Sequence, residues 1–282
     1  MRTVTSKDGT TIAFEQLGSG PAILLVGTAL SDHTDAAKLA KFLARKFTVV
    51  NYDRRGRGNS ADTPPYAVER EVEDIEALID AAGGSAFLFG SSSGAVLALE
   101  AGSRLGTKVN GLFLYEPPFI VDDSRPPMPD DLVGQIDGLV AANRRSDAVR
   151  LFFTKGMGIP VIFVTMMRLL MPGWSKAAGM AHTLRYDFAV MAGTQSGKPL
   201  PAGRWAATQA PTLVVVGSKS EAFFHNGAKA LNGLLPHTQY RALEGQDHGA
   251  VQMAPNATAT AVEEFFLAYN NEIHYTIKQE QT

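Results

Sequence analysis

Along the first 115 residues, short unbroken apolar runs alternate with longer stretches in which apolar positions recur every three or four residues. Ala22–Val26, Phe47–Tyr52, Phe87–Phe89 and Val109–Tyr115 are the kind of run that a strand covered on both faces requires, since neither of its sides meets water. Thr11–Leu17 follows an Asp8-Gly9 turn and reads as half of a hairpin. Val68, Val72, Ile75 and Ile79 recur at spacings of 4, 3 and 4, which puts them on one face of a helix that Gly83-Gly84 ends. Ala36–Arg45 suits a helix as well, and Ala95–Ala101 is almost wholly apolar, as a buried helix would be. This alternation predicts an α/β fold: a mainly parallel twisted sheet with helices on both faces.

The alternation breaks at Pro117-Pro118 and resumes with a strand at Thr212–Gly217, a helix near Ala228–Leu235, a strand at Gln239–Leu243 and a last helix at Ala257–Tyr269. Between the two halves lie helical stretches without a strand pattern, and seven of the nine methionines: Met128, Met157, Met166, Met167, Met171, Met180 and Met191. The expected organisation is an α/β core from 1–118 and 206–282, with a helical insertion at 119–205. The apolar run Ile159–Met171 is 13 residues long and contains Pro160 and Arg168. A membrane span needs roughly 20 residues, so the run is expected to be a buried or substrate-facing helix. Residues 271–282 are polar, lack periodicity and receive no functional assignment.

Composition excludes more than it identifies. The 282 residues are 45% hydrophobic and 19% charged with a formal net charge of -2, enough apolar material for a sizeable core and no basic surface for nucleic acid. The absence of cysteine removes disulfides, thiolate metal ligands and a cysteine nucleophile together. Met1–Asp8 is polar, without the hydrophobic stretch of a signal peptide, and a cytoplasmic monomer or homodimer is expected. His, Asp and Glu show no metal-ligand spacing, and Gly56-Arg57-Gly58 lacks the spacing of a phosphate-binding glycine loop. Neither a metal nor a cofactor is expected.

The chemistry concentrates at Gly90-Ser91-Ser92-Ser93-Gly94, a G-x-S-x-G pattern between a buried strand and an apolar helix. A serine on such a tight strand-to-helix turn takes strained backbone angles, flanking glycines admit close packing, and the helix N-terminus aims free N–H groups at developing negative charge. Tyr52-Asp53-Arg54-Arg55-Gly56-Arg57-Gly58-Asn59-Ser60, Leu25-Val26-Gly27-Thr28 and Gly245-Gln246-Asp247-His248-Gly249 complete a resemblance to the α/β-hydrolase family over nearly the whole chain. The resemblance implies Ser92 as nucleophile and His248 as its base. It also implies an oxyanion hole from the backbone N–H groups of Thr28 and Ser93, and a helical cap at 119–205. Val26 stands where the family often has His, so different hydrogen bonds must support that loop.

The acid is open at this level. The family usually carries an Asp shortly after the strand corresponding to Thr212–Gly217, and Ser220 occupies that place here. Either neighbouring Glu221 serves, or the acid is lost, or it comes from Glu116, which ends the strand Val109–Tyr115 24 positions after Ser92. Some relatives in the family, including certain haloalkane dehalogenases, take their acid from that strand end. The implied activity is hydrolysis of an apolar ester, lactone or thioester through an acyl-Ser92 intermediate. The alternatives are C–C bond hydrolysis or acyl transfer by the same residues, and a catalytically weak scaffold that binds a ligand.

Overall fold

The computed structural model describes the backbone of residues 1–280 and side chains through Tyr269. The side chains of the polar stretch 271–282 therefore lie outside the described residues. Eight strands form one sheet: β1 (Arg2–Thr5), β2 (Thr11–Leu17), β3 (Ala22–Val26), β4 (Thr48–Tyr52), β5 (Ala86–Ser91), β6 (Val109–Tyr115), β7 (Thr212–Gly217) and β8 (Thr238–Leu243). Their order is β1-β2-β4-β3-β5-β6-β7-β8, antiparallel at β1/β2 and β2/β4 and parallel throughout the rest. Of the strands read from apolar runs, β3 and β5 are buried at every position while β4 and β6 each keep one half-buried residue, Thr48 and Asn110; β7 is buried throughout as well.

The helices of the sheet region are α1 (Ala37–Leu43), α2 (Val68–Ala81) and α3 (Ser93–Leu105). Between β6 and β7 the chain forms α4 (Leu132–Ala141), α5 (Arg145–Leu151), α6 (Val161–Leu170), α7 (Trp174–Gly179) and α8 (Leu184–Val190), with no strand. After β7 come α9 (Ala222–Leu234), α10 (Ala250–Met253) and α11 (Pro255–Glu280). Sheet residues pointing to one face join α2, α3, α9 and the helices between β6 and β7 in one apolar core. Those on the other face pack on α1, α10 and α11, where the Phe87 and Phe266 rings stack 4.3 Å apart and Phe47 meets both edge-on.

Two features depart from the sequence pattern. β1 is short and mostly polar, and it exists because β2 offers it a ladder from Arg2 opposite Phe14 to Thr5 opposite Thr11. The run Ile159–Met171 forms a helix, α6, for which the buried alternative fails, since Val164 alone is buried and Leu169 and Leu170 are 77% and 74% exposed, whereas Met167 faces the cavity described below. Among the described residues no helix is long and apolar enough to cross a membrane.

Candidate active site

The parallel strands all point their C-terminal ends to one edge of the sheet, where loops gather side chains from distant parts of the chain. Ser92 follows β5 with φ 54° and ψ −124°, an angle pair that a non-glycine residue adopts only when its surroundings over-determine it. The surroundings do so from both sides. A Cβ at Gly90 would come within 2.4 Å of the Gly94 carbonyl oxygen, and one at Gly94 within 2.3 Å of that of Val26. These two glycines therefore let α3 press against β5 and against the loop Gly27–Thr28. The Ser92 N–H donates to the Tyr115 carbonyl (2.8 Å), which ties the turn to the end of β6.

Glu116 follows β6, again at positive φ (49°), and is fully buried. Its Oε2 lies 2.7 Å from His248 Nδ1. Its Oε1 accepts from the Gly217 N–H (2.7 Å) and from Ser220 Oγ (2.5 Å). Ser220, the residue standing where the family usually has Asp, thus holds the carboxylate that reaches over from the neighbouring strand. Glu221 is exposed at the start of α9 and makes no hydrogen bond to His248. Asp247 turns aside, with Oδ1 accepting from the Gly249 N–H (2.9 Å).

The loop that carries His248 is fastened across the sheet edge. Tyr115 Oη donates to the Asp247 carbonyl (2.6 Å), the Lys219 N–H to that of Gln246 (2.9 Å), and a Cβ on Gly217 would collide with Gln246 at 2.4 Å. The Phe224 ring stacks on the imidazole at 4.8 Å. Ser92 and His248 line the same cavity of about 730 Å³ without a hydrogen bond between them. Such bonds commonly tighten only when a substrate is bound. Thr28 and Ser93 border the cavity as well, and among the described residues neither backbone N–H has a protein acceptor. The opposite wall comes from the helical segment and includes Phe152, Met157, Met167 and Met171. α6 thus has one edge on the cavity and the other in solvent. His33 and His182 do not line it.

Beneath the Thr28 loop lies a fully buried charge network that no local sequence pattern signals. Arg54 makes a two-pronged contact with Glu71 (2.7 Å each) and a third bond to Asp187 Oδ1 (2.7 Å). Arg57 donates to Asp187 Oδ2 (2.6 Å), to Thr183 Oγ1 (3.1 Å) and to the Thr28 carbonyl (2.6 Å). Arg54 also donates to the Gly27 carbonyl (3.2 Å), and Ser93 Oγ donates to Asp187 Oδ1 (2.8 Å). Here the loop receives the support that Val26 cannot supply. Burial by itself would raise the pKa of Asp187, but Arg57 and Arg54 hold it below the ordinary carboxylate range.

The structure also brings Asp32, His33 and Asp53 within 4.8 Å of one another, a grouping the linear spacing did not reveal. Their atoms are already engaged. Asp53 Oδ1 lies 2.8 Å from His33 Nδ1 and accepts from the His33 N–H, Asp53 Oδ2 accepts from the Asn59 N–H, and Asp32 Oδ1 accepts from Thr34 and Lys176. These bonds tie the loops after β3 and β4 together.

A family model described as "Alpha/beta hydrolase family" matches residues 22–261, and the chain belongs to that family. A crystal structure of an alpha/beta hydrolase from Sphaerobacter thermophilus DSM 20745 is 50% identical, superposes with a TM-score of 0.87 and covers 94% of this chain and 100% of its own. The enol-lactonase from Burkholderia xenovorans LB400 shares the fold at 20% identity and a TM-score of 0.68, covering 95% and 100%. An uncharacterised hydrolase of Bacillus subtilis (strain 168) is 39% identical over 113 residues, 39% of this chain and 42% of that one. The chain thus spans about two-fifths of the length of the curated relatives it matches.

Proposed function

We propose that the protein is a serine hydrolase that cleaves an apolar ester, lactone or thioester, with Ser92 as nucleophile, His248 as base and Glu116 as the orienting acid. The observation that carries this reading is the buried Glu116 carboxylate 2.7 Å from Nδ1 of His248, an imidazole that shares its cavity with the strained Ser92 turn. An ionised carboxylate only accepts hydrogen bonds, so it keeps a proton on Nδ1 and leaves Nε2 free to take the Ser92 proton.

Ser92 Oγ adds to the carbonyl carbon as its proton passes to His248 Nε2, and the carbonyl oxygen becomes an oxyanion. The N–H groups of Thr28 and Ser93 receive that charge, commonly a large part of the rate enhancement. Collapse expels the alcohol or thiol, which takes the proton from Nε2; water then adds to the acyl group by the same route and frees the acid and Ser92. Residues 119–205 act as a cap, and their methionines suit a loosely specified apolar acyl group because the side chain is unbranched and adaptable.

A fluorophosphonate probe tests the nucleophile. Ser92 is expected to carry the label in a tryptic digest, Ser92→Ala to carry none, and Ser91→Ala to label as the wild type does. Absence of any label from folded wild-type protein would refute the reading. The cap is tested through Met167, which lines the cavity from α6. Met167→Trp is expected to shift the preference among 4-nitrophenyl esters towards shorter acyl chains while moving the melting temperature by only a few degrees. A uniform loss over all chain lengths with a large drop in stability would place Met167 in the core instead.

A further inference from the structure

We infer that the substrate carries a carboxylate at the end remote from the scissile carbonyl, and that Arg125 is the residue that receives it. This rests on the hydrolase reading for the position of the reacting carbon, and on the cavity alone for the anion. Three cations line the cavity: Arg54, Lys176 and Arg125. Arg54 is paired with Glu71 and Asp187, and Lys176 with Asp32 and Asp35. Arg125 has no carboxylate within ion-pair distance among the described residues; its one hydrogen bond goes from Nη2 to the Gly156 carbonyl (2.9 Å).

An unpaired guanidinium is costly on a cavity wall, because water is partly excluded and a single carbonyl and a ring face replace only part of it. Burial accordingly lowers the Arg125 pKa, with Glu221 opposing that effect from a greater distance. The side chain is nevertheless held in place. Its guanidinium carbon lies 4.5 Å from the centre of the Phe223 ring, and Gly158 leaves the room it occupies, since a Cβ there would meet Nη2 at 3.3 Å. A fixed planar fork with free N–H groups is the partner that a carboxylate matches, and a bidentate contact of this kind is among the stronger polar interactions in proteins. Arg125 brings a single unpaired positive charge and Glu221, also on the cavity wall, partly opposes it, so the subsite suits a carboxylate monoanion better than a phosphate dianion.

The position sets the distance from the chemistry. The Phe223 and Phe224 rings are tilted with centroids 4.0 Å apart, and Phe224 stacks on His248 at 4.8 Å, so two aromatic rings separate the guanidinium from the imidazole. A substrate that meets both must place several atoms between its carbonyl and its carboxylate. Half-esters of linear dicarboxylic acids have this form.

The test compares 4-nitrophenyl half-esters of dicarboxylic acids of rising length with neutral 4-nitrophenyl alkanoates of the same length. At one intermediate length the wild type is expected to favour the anion in kcat/KM. Arg125→Gln is expected to lower the ratio of anionic to neutral kcat/KM by about 10- to 100-fold, the size of a hydrogen bond to a charged group. Glu221→Gln removes an exposed negative charge beside the subsite, and should raise the ratio about two- to fivefold. A ratio unchanged in both variants, or a wild type that favours the neutral ester at every length, overturns the inference. A second readout does not need catalysis: calorimetric binding of adipate or suberate to Ser92→Ala, expected to weaken about 10- to 100-fold when Arg125→Gln is added. Equal binding with and without Arg125 overturns the inference even if the enzyme hydrolyses esters. Carboxylate binding without any fluorophosphonate label or turnover would instead remove the hydrolase reading and leave the anion subsite standing.

Discussion

Glu116→Gln is expected to lower kcat by about four orders of magnitude while leaving the protein folded. The size follows from how the carboxylate is held. Oε1 accepts from the Gly217 N–H and from Ser220 Oγ, so a Gln amide must place its carbonyl oxygen there to keep both donors satisfied. Its NH₂ group then faces His248 Nδ1, which has to accept. The imidazole proton moves to Nε2, the nitrogen that in the proposed mechanism must be free to take the Ser92 proton, and the proposed base is held in the wrong tautomer. Adding Ser220→Asp to this variant should recover part of the rate, because Ser220 Oγ lies 2.5 Å from the carboxylate it would replace. The measurement is kcat on a 4-nitrophenyl ester, with melting temperature as the control for folding. A loss smaller than tenfold in folded Glu116→Gln would remove Glu116 from the triad.

Asp187→Ala is expected to cost about 3–5 kcal/mol of stability, the usual penalty for removing one partner of a buried ion pair. Both carboxylate oxygens are engaged by buried guanidinium groups, and Arg57 has no other carboxylate partner among the described residues. Removing Asp187 therefore strands a charge in a place that water does not reach. The loss should also carry to the site, since the same Arg57 donates to the Thr28 carbonyl and Ser93 Oγ bonds to Asp187. Urea denaturation at neutral pH measures the stability term, and a change under 1 kcal/mol would mean the network rearranges without strain.

Acid provides an independent check on the same residue. The folded pKa of Asp187 lies below its ordinary value, so its contribution is present above about pH 4 and is lost as pH falls through the depressed folded value. The gap in stability between wild type and the variant should accordingly narrow in strong acid.

Much of the architecture was legible in the chain because both of its signals are local. A strand covered by helices has to be apolar at nearly every position, so the runs read for β3, β6 and β7 match the observed strands residue for residue. The Ser92 turn was legible for a related reason: Gly90 and Gly94 stand where any side chain would strike backbone, and the collision partners lie on elements that the pattern already placed. Glu116 could be named as a candidate because it ends a buried strand from which some members of the resembled family take their acid, and a carboxylate there can be held rigidly.

Tertiary structure alone decided the rest, since those features depend on contacts between residues far apart in sequence. Nothing near Ser220 indicates that it donates to a carboxylate 104 positions earlier, and nothing near Asp187 indicates that it receives Arg54 and Arg57 from 133 and 130 positions away. α6 shows the same limit from the other side. Its apolar sequence specifies a helix but cannot say which neighbours cover it, and in the fold one edge meets the cavity while Leu169 and Leu170 face solvent. Arg125 is one of 26 basic residues in the sequence and becomes distinctive only when the fold sets it on the Ser92 cavity without an ion-pair partner. Periodicity and sterics act between near neighbours and can be read along the chain; charge pairing and exposure are properties of the assembled surface.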